Sequence, residues 1–520
     1  MATFTYPDVP LHEILRAQAR SRPVSVAIVH EGKTLTFADL EAASNRLANG
    51  LARLGLEPGG RLGLFLPNCP EFQIGFYAAS KLGAAACPMN SAYREREITY
   101  QLNDNGAAIL LTHTKLMPVV QAALPQLTCI RSVVVVGAAG SNASAAGSDA
   151  GAKILHLEEV VAGQSADPPS FEVDPDRLAA LPYSSGTTGF PKGVMLTHRN
   201  LVANHHQYVR AIGLGPGDAY VVYMPLSHIY GVAMMGSGIL SAAKQILLER
   251  FDLETVIRLI EEHSVTWLFA VPPVLLTLAN AEELGPSQFR TIKYIFSAAA
   301  PLPPDVARRV QERVGAPLVQ GYGLTEASPA THNSPLEPGR IKLESGGVLM
   351  AGTEHRIVDL ETGDITLGPQ EVGEIVVRGP QVMQGYWNAP EETARVLRDG
   401  WLYTGDIGWV DDEGYLYIVD RKKEMIKYKS FSVAPAELEA VLLEHPGVAD
   451  CAVLGVPDPE SGEVPKAFVV PYSGQAIDVD ELARFVAERV AGYKQIRHFE
   501  VIDSIPKSPS GKILRRLLKN

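Results

Sequence analysis

The first 130 residues alternate between hydrophobic spacing typical of helices and spacing typical of strands. Thr36 is suited to cap a helix in which Leu40, Leu47 and Leu51 recur at helical intervals. The apolar runs between the helices are continuous, which is typical of strands covered on both faces. This pattern predicts an α/β fold with a mostly parallel sheet. The predicted segments are strands at 61–67, 84–88, 107–112 and 132–137 and a helix at 71–82.

The hydrophobic pattern changes twice toward the C-terminus. Short strands and turns from about residue 346 to 419 predict a β-rich subdomain, and the chain beyond them reads as a smaller α+β unit with a helix at 480–490. We therefore predict a large N-terminal domain of layered α/β sheets at 1–419 and a small C-terminal domain at 420–520.

Composition narrows the possible functions. Of 520 residues, 46% are hydrophobic and 20% charged, which is ordinary for a soluble globular protein. A net charge of -12 disfavours nucleic-acid binding and leaves small molecules as the expected ligands. No apolar run reaches the roughly 18 residues of a membrane span, and we see no signal peptide or peroxisomal C-terminus. Four isolated cysteines suit a reducing compartment, so we expect a cytoplasmic protein. We also expect it to be a monomer or a homodimer.

One loop carries most of the candidate chemistry. Residues 183–193 read Tyr-Ser-Ser-Gly-Thr-Thr-Gly-Phe-Pro-Lys-Gly. The glycines allow close backbone approach to a ligand, the hydroxyls donate hydrogen bonds, and Lys192 adds positive charge. Successive backbone N–H groups in such a loop suit a polyphosphate. Glycine follows the lysine, so this is not a Walker A motif. Taken alone, the cluster fits a flexible surface turn equally well.

Four further segments decide between these alternatives. They are Gln-Gly-Tyr-Gly-Leu-Thr-Glu-Ala at 320–327, Tyr-Thr-Gly-Asp-Ile-Gly at 403–408, Asp-Arg-Lys-Lys-Glu-Met-Ile-Lys-Tyr-Lys at 420–429 and Pro-Lys-Ser-Pro-Ser-Gly-Lys at 506–512. With the loop, and in this order, they resemble the adenylate-forming superfamily of acyl-CoA synthetases, luciferases and peptide-synthetase adenylation domains, including its 4-coumarate-CoA-ligase-like branch. The resemblance covers essentially the whole chain.

The resemblance implies an ATP-dependent carboxylate–CoA ligase that uses Mg²⁺. A carboxylate is a poor acyl donor because its leaving group would be oxide. Attack on the α-phosphorus of ATP releases pyrophosphate and gives an acyl-adenylate, whose AMP is then displaced by the thiol of CoA. The protein's part in such a transfer is positioning and electrostatic stabilisation.

The resemblance also implies a nucleotide site. Tyr322 would stack on adenine, Asp406 would accept hydrogen bonds from the ribose hydroxyls, and Arg421 would assist there. The remaining residues expected at the nucleotide are Ser184, Ser185, Gly186, Thr187, Thr188, Gly189, Lys192, Ala299, Gly321 and Gly323.

Four residues are implied in catalysis. Thr325 would contact the α-phosphate, and Glu326, with Thr188, would ligate Mg²⁺, which prefers carboxylate and phosphate oxygens. Lys512 would neutralise charge at the attacked phosphate. His228 would be a wall or gate beside the reacting carbon, the alternative being a structural histidine.

Asp420 is implied as a hinge about which a mobile small domain swings between the two half-reactions. In the first orientation, Lys512 would lie in the active site. The second would present Lys427, Lys429 and Ser430 to CoA. Many ligases of this kind have glycine where this chain has Ser430 and glutamine where it has Ser432, so the chain departs from the family pattern at the segment implied in the second half-reaction.

The acyl pocket implied by coumarate-ligase-like members is mainly apolar. It predicts an acid with an uncharged tail, which is aryl, arylpropenoyl or the chain of a medium- to long-chain fatty acid. His205 and His206 are interpreted as structural. The pocket residues are His228, Tyr230, Met234, Ala299, Gly323, Pro329 and Ala330.

Other functions stay open at this point. The enzyme could deliver its acyl group to a carrier protein or another non-CoA acceptor. Amino-acid activation is disfavoured, because the segment before Ile229 lacks an aspartate to pair with an α-ammonium. Luciferase-type oxygenation is not excluded by the motifs. A non-enzymatic nucleotide sensor is disfavoured, because it would need neither Glu326 nor Lys512.

Overall fold

The computed structural model describes residues 4–137, 151–184, 191–429, 431–459, 461–508 and 511–518. These residues form four sheets and the helices that pack on them. The α-helices are α1 (His12–Ser21), α2 (Phe37–Arg53), α3 (Pro70–Lys81), α4 (Glu95–Asn105), α5 (Met117–Ala123), α6 (Leu157–Val161), α7 (His198–Ile212), α8 (Ile229–Ser241), α9 (Leu253–His263), α10 (Pro272–Asn280), α11 (Pro304–Val314), α12 (Pro390–Val396), α13 (Pro435–Leu443) and α14 (Val479–Ala487).

Strands alternate with these helices along the chain. They are β1 (Val26–His30), β2 (Lys33–Thr36), β3 (Arg61–Phe65), β4 (Ala85–Met89), β5 (Ile109–His113), β6 (Ser132–Val136), β7 (Lys153–His156), β8 (Leu178–Ala180), β9 (Tyr183–Ser184), β10 (Lys192–Thr197), β11 (Ala219–Val222), β12 (Lys244–Leu247), β13 (Trp267–Ala270), β14 (Tyr294–Ser297), β15 (Leu318–Gly323), β16 (Ala330–Asn333), β17 (Val348–Leu349), β18 (Glu354–Val358), β19 (Gly373–Arg378), β20 (Gly385–Tyr386), β21 (Leu397–Arg398), β22 (Trp401–Val410), β23 (Leu416–Arg421), β24 (Ile426–Tyr428), β25 (Phe431–Val433), β26 (Val448–Asp458), β27 (Gly462–Pro471) and β28 (His498–Val501).

Two nine-stranded sheets make up most of the molecule. One runs β17-β16-β15-β14-β13-β11-β12-β1-β2, and the other runs β20-β10-β8-β4-β3-β5-β6-β7 with β9 paired to β10. The central strands pair in parallel, as β3 does with β4 and β5 and β14 does with β13 and β15. The predicted α/β fold with parallel sheets is therefore confirmed.

The helix predicted to begin at Thr36 is α2, and its first turn shows why the local sequence was enough to predict it. Thr36 Oγ1 accepts a hydrogen bond from the Asp39 backbone N–H at 3.1 Å, and the Asp39 carboxylate accepts one from the Thr36 N–H at 3.0 Å. This capping box satisfies two backbone donors at the start of α2. Leu40, Leu47 and Leu51 then lie fully buried against the core.

Two smaller sheets follow along the chain. Strands β18, β19, β21, β22 and β23 form the first, and β24 to β28 form the second, on which α13 packs. The helix predicted at 480–490 is α14, which ends three residues earlier at Ala487. Within the described residues, no helix is both long and apolar enough to cross a membrane.

The parallel strands also position the candidate site. Because β11, β14 and β15 run in the same direction through one sheet, the segments that follow them emerge at one edge. Those segments contain three of the predicted site residues, His228, Ala299 and Glu326. The fold therefore brings together residues that are far apart in the sequence.

Candidate active site

Tyr322, Asp406 and Arg421 form one polar cluster. Asp406 on β22 lies opposite Arg421 on β23 in the antiparallel register. Its carboxylate accepts a hydrogen bond from the Tyr322 hydroxyl at 2.7 Å and lies 3.2 Å from Arg421 Nε. Burial raises the pKa of Asp406, while Arg421 and the Tyr322 hydroxyl oppose that increase. The predicted adenine and ribose residues are thus neighbours.

Glu326 lies in a short 3₁₀ turn, Thr325–Ala327, which begins two residues after Gly323 at the end of β15. Its Oε1 accepts two hydrogen bonds, from the Ser184 hydroxyl at 3.0 Å and from the Tyr386 hydroxyl at 2.9 Å. Both hydroxyls bind the same oxygen, so the other carboxylate oxygen lies outside these two bonds.

Lys192 begins β10, at the end of the glycine-rich loop. Its ammonium lies 3.7 Å from the Glu392 carboxylate and 5.5 Å from the centre of the Tyr386 ring. Tyr386 therefore contacts the loop lysine through its ring and Glu326 through its hydroxyl. A single aromatic side chain thus contacts both Lys192 and Glu326, two residues of the predicted phosphate site.

Lys512 is docked against the large domain. Its backbone closes a turn with Ser508, whose N–H donates to the Lys512 carbonyl at 2.8 Å. The neighbouring Gly511 has a φ of +82° and lies so close to the start of α10 that a Cβ there would be 2.6 Å from Pro273 Cδ. Burial, with Arg421 nearby, lowers the pKa of Lys512, and Glu424, Asp406 and Glu326 act in the opposite direction. The lysine thus shares one electrostatic environment with Asp406 and Glu326.

His228 caps the N-terminus of α8. Its Nδ1 accepts a hydrogen bond from the Tyr230 backbone N–H at 3.2 Å. Burial, and then the positive charge of Lys512, lower the pKa of His228 to about 4. The imidazole is therefore neutral at physiological pH, and Lys512 of the small domain is close enough to affect it.

The predicted acyl-pocket residues differ in exposure. Tyr230, Met234 and Ala330 are buried, Pro329 is partly buried, and Ala299 and Gly323 are exposed. At Gly323 a Cβ would lie 2.2 Å from the Pro329 carbonyl oxygen, so only glycine fits there. Ala299 has a φ of +76°, a conformation that glycine adopts more easily.

Some predicted residues lie outside the described part of the chain, and two others lie on the surface of the small domain. Ser185, Gly186, Thr187, Thr188, Gly189 and Ser430, and the side chain of Ser432, lie outside the described residues. Lys427 and Lys429 are exposed on the small domain, on β24 and in the turn after it. Their predicted contacts with CoA belong to the second domain orientation, so these assignments stay predictions.

Sequence reasoning missed three residues that shape the site. Tyr386 and Glu392 lie outside the five motifs that carry the resemblance. The side-chain amide of Asn204, on α7, makes two hydrogen bonds with the backbone of Ala330. It donates to the Ala330 carbonyl at 2.8 Å and accepts from the Ala330 N–H at 3.2 Å. The aromatic pair of Gly-Tyr-Trp-Asn at 385–388 was the available signal for Tyr386. Nothing local marked Asn204.

The fold and this cluster are those of a protein with a large and a small domain, in which Lys512 of the small domain lies near Asp406 and Glu326 of the large one. Two family models match the chain: the AMP-binding enzyme model at residues 15–387 and the AMP-binding enzyme C-terminal domain model at 437–512. The chain therefore belongs to the AMP-binding enzymes, the adenylate-forming superfamily that the motifs predicted.

Curated relatives and solved structures agree with this assignment. The 4-coumarate-CoA ligase 1 of Narcissus pseudonarcissus is 39% identical over 497 residues, which are 94% of this chain and 88% of the relative. The anthranilate CoA ligase AuaEII, in complex with anthranoyl-AMP, has a TM-score of 0.89 at 25% identity, covering 99% of this chain and 96% of that one. An o-succinylbenzoate coenzyme A synthetase from Bacillus subtilis, in complex with ATP and magnesium ion, has a TM-score of 0.84 at 30% identity, covering 98% and 99%.

The predicted class of reaction is thereby confirmed. The protein is an AMP-forming acid–thiol ligase, with ATP and CoA as the partners of a carboxylic acid. The predicted roles of individual residues and the identity of the acid are separate questions.

Proposed function

We propose that this enzyme activates an aryl acid of the arylpropenoate class, with an uncharged ring, as its acyl-adenylate and transfers the acyl group to CoA. The observation that carries the proposal is the position of Lys512, which shares its surroundings with Asp406 and Glu326 and lies near His228. The aryl class is supported by the names of the relatives and by the aromatic rings of Tyr230 and Phe296, whose centres are 6.3 Å apart.

In the first half-reaction an oxygen of the substrate carboxylate attacks the α-phosphorus of ATP, and the bond to pyrophosphate breaks. Lys512 neutralises the charge that develops there, and Thr325 contacts the α-phosphate. Tyr322 stacks on adenine, and the Asp406 carboxylate accepts the ribose hydroxyls. His228 forms the wall beside the acyl carbon, and its lowered pKa makes its neutral imidazole a weak base there.

The residues present suit a magnesium ion held mainly by ATP. Among the described residues, no group of three or more histidine, cysteine, aspartate or glutamate side chains could hold a metal by itself. Glu326 offers one carboxylate oxygen outside its two hydrogen bonds, and Mg²⁺ at nucleotide sites typically takes one or two carboxylates plus phosphate oxygens. Such an ion offsets negative charge on the phosphates.

In the second half-reaction the thiol of CoA attacks the acyl carbon and AMP leaves. We propose that residues 420–520 then rotate about Asp420 relative to residues 1–419. The Asp420 carboxylate accepts hydrogen bonds from the N–H groups of Arg421 at 2.6 Å and Ala436 at 2.9 Å. Because Ala436 is in the first turn of α13, the side chain of the hinge is attached to the small domain.

A reducing compartment such as the cytoplasm suits the thiols of the chain. All four cysteines are free, and three of them are buried. Burial raises the pKa of Cys87 to about 12, so this thiol stays protonated and unreactive.

The test is a panel of acids with ATP and Mg²⁺ in which pyrophosphate and acyl-CoA are measured separately. We expect both products with cinnamate-type acids and a much lower kcat/KM with octanoate or hexadecanoate. A higher kcat/KM with the fatty acids would overturn the aryl assignment. Pyrophosphate without acyl-CoA, for every acid, would instead favour a carrier protein or another acceptor.

The variant Lys512→Ala tests whether this lysine acts in adenylation but not in transfer to CoA. We expect adenylation to fall by at least 100-fold, while CoA transfer from supplied acyl-adenylate persists. Equal loss of both steps would contradict the role given to this lysine.

A further inference from the structure

One face of helix α4 contacts both ends of the glycine-rich loop. Tyr100 and Asp104 lie four residues apart on α4, which places their side chains on one face of the helix. The Tyr100 hydroxyl donates a hydrogen bond at 2.9 Å to the carbonyl of Pro191, near the end of the loop. The Asp104 carboxylate accepts one at 2.5 Å from the hydroxyl of Tyr183, the first residue of the loop. A single helix therefore holds the loop at both ends.

The last turn of α4 also holds a third segment of the predicted phosphate site. The backbone carbonyl of Asp104 accepts hydrogen bonds from Trp387 Nε1 at 3.0 Å and from the side-chain amide of Asn388 at 3.1 Å. These two residues directly follow Tyr386, whose hydroxyl donates to the Glu326 carboxylate. Asp104 therefore contacts the loop through its side chain and the segment after Tyr386 through its backbone.

The helix itself does not explain an aspartate at this position. A carboxylate in the last turn is unfavourable for a helix, because it lies at the negative end of the helix dipole. The C-terminus of α4 is closed by Gly106, which has a φ of +64° and donates its N–H to the Leu102 carbonyl at 2.9 Å. The Asp104 side chain thus holds Tyr183 and does not end the helix. Burial and this carboxylate raise the pKa of Tyr183, so its hydroxyl stays protonated and can donate.

The position of Tyr183 determines that of two residues of the predicted phosphate site. Strands β9 and β10 are antiparallel, with Tyr183 opposite Gly193 and Ser184 opposite Lys192. Ser184 in turn donates to the Glu326 carboxylate at 3.0 Å. A shift of Tyr183 would therefore displace the Ser184 hydroxyl and the Lys192 ammonium together. A displacement of about 1 Å is enough to weaken a preorganised polar site.

We propose that Asp104 is a positioning residue for the β- and γ-phosphates of ATP, and that it acts through Tyr183. By fixing the loop before ATP binds, it lowers the entropic cost of ordering the loop on binding. The residues expected at adenine and ribose, Tyr322 and Asp406, lie on β15 and β22, outside these contacts. The inference rests on the proposed function, with the loop as its phosphate site, and adds the helix that orients this loop.

The experiment measures the binding of MgATP and of AMP to the full chain by calorimetry, without acid or CoA. AMP lacks the β- and γ-phosphates and therefore reports on the rest of the nucleotide site. Tyr183→Phe keeps the ring against Tyr100, whose centre is 6.4 Å away, and removes only the hydroxyl. We expect the Kd of MgATP to rise about 10-fold and that of AMP to change by less than about twofold.

Asp104→Asn provides a second variant if Tyr183→Phe does not fold. It retains the backbone contacts with Trp387 and Asn388 and removes the charge from the bond to Tyr183. We expect the Kd of MgATP to rise about threefold. Adding this change to Tyr183→Phe should have little further effect, because both changes act on one hydrogen bond.

Tyr417→Phe is the matched control. The Tyr417 hydroxyl also donates to a carboxylate, that of Asp411, at 3.2 Å, and neither residue belongs to the predicted nucleotide site. Its loss should leave both dissociation constants as in the wild type.

Each result separates this inference from the proposed function. An unchanged Kd of MgATP in Tyr183→Phe and Asp104→Asn would overturn the inference and leave the proposed function standing. An equal rise in the Kd of MgATP and of AMP would also overturn it, since that shows general damage to the large domain. Failure of the wild type to bind MgATP would overturn the proposed function, and this inference with it.

Discussion

At the scale of single residues, the carboxylate of Glu326 is held by two hydroxyl groups. Ser184 and Tyr386 both donate to its Oε1, and the Tyr386 ring also contacts the Lys192 ammonium. Two donors on one oxygen fix the orientation of the carboxylate before any ligand binds. Tyr386 is therefore a positioning residue, which acts through Glu326 rather than on the substrate.

Tyr386→Phe should weaken the use of MgATP without affecting the acid. The variant retains the ring for Lys192 and loses one hydrogen bond to a carboxylate, worth about 1.5 kcal/mol. We expect KM for MgATP to rise roughly 10-fold, a higher Mg²⁺ concentration for half-maximal rate, and an unchanged KM for the acid. Tyr415→Phe, whose hydroxyl donates to the Arg340 carbonyl at 2.7 Å outside the site, is the control. An unaltered Mg²⁺ dependence in Tyr386→Phe would contradict the positioning role.

His228 should contribute no ionisation near neutral pH. Its pKa is lowered to about 4, so the ring is neutral above that value and becomes charged only below it. We expect the pH profile of adenylation by His228→Asn to have the same shape as that of the wild type between pH 5.5 and 8, at a lower rate. The measurement is kcat/KM for the acid across that range. A step that disappears in the variant would assign the histidine an acid–base role.

At the scale of elements, the turn that carries Lys512 is fitted to α10. Gly511 combines a φ of +82° with a position in which a Cβ would lie 2.6 Å from Pro273 Cδ. Glycine is thus required twice, once by the backbone and once by the neighbouring helix. This close approach sets how near Lys512, the proposed catalytic lysine, comes to the large domain.

Gly511→Ala should therefore impair docking and not folding. We expect adenylation to fall about 10- to 100-fold, because a misplacement of about 1 Å has effects of this size. CoA transfer from supplied acyl-adenylate should stay near the wild-type rate. Gly474→Ala is the control, since that glycine also has a positive φ but nothing lies within 4 Å of its Cβ position. Equal loss of both half-reactions in Gly511→Ala would show damage to the small domain itself.

The elements also show what the sequence could predict. The helix begun by Thr36 and the buried strand β3 depend on neighbours along the chain, and both were predicted from local spacing. The hydrogen bond from Asn204 to Ala330 joins residues that are 126 positions apart in the sequence. The hydrogen bond from Tyr386 to Glu326 joins residues that are 60 positions apart. Contacts of this kind depend on how helices and sheets pack. Motifs could name Glu326 as a candidate but not the residues that orient it.

At the scale of the whole molecule, the structure has the small domain in the orientation that we propose for adenylation. Lys512 lies near His228 and shares its surroundings with Asp406, while Lys427 and Lys429 are exposed. Asp420 is bonded to Arg421 and to α13. In a rotation about this residue, Lys512 would leave the site as Lys427 and Lys429 approach it.

The burial of Lys512 has a consequence for proton exchange. Burial lowers its pKa when the small domain is docked, whereas a lysine in solvent titrates near 10.4. An arrangement in which an amine loses its proton more readily is favoured as the pH rises. In the empty enzyme, closure at alkaline pH therefore releases a proton. The phosphates of ATP and the substrate carboxylate stabilise the charged amine, so closure over substrates retains that proton. Domain closure in the empty enzyme and closure over bound substrates thus differ in the number of protons exchanged with the solvent.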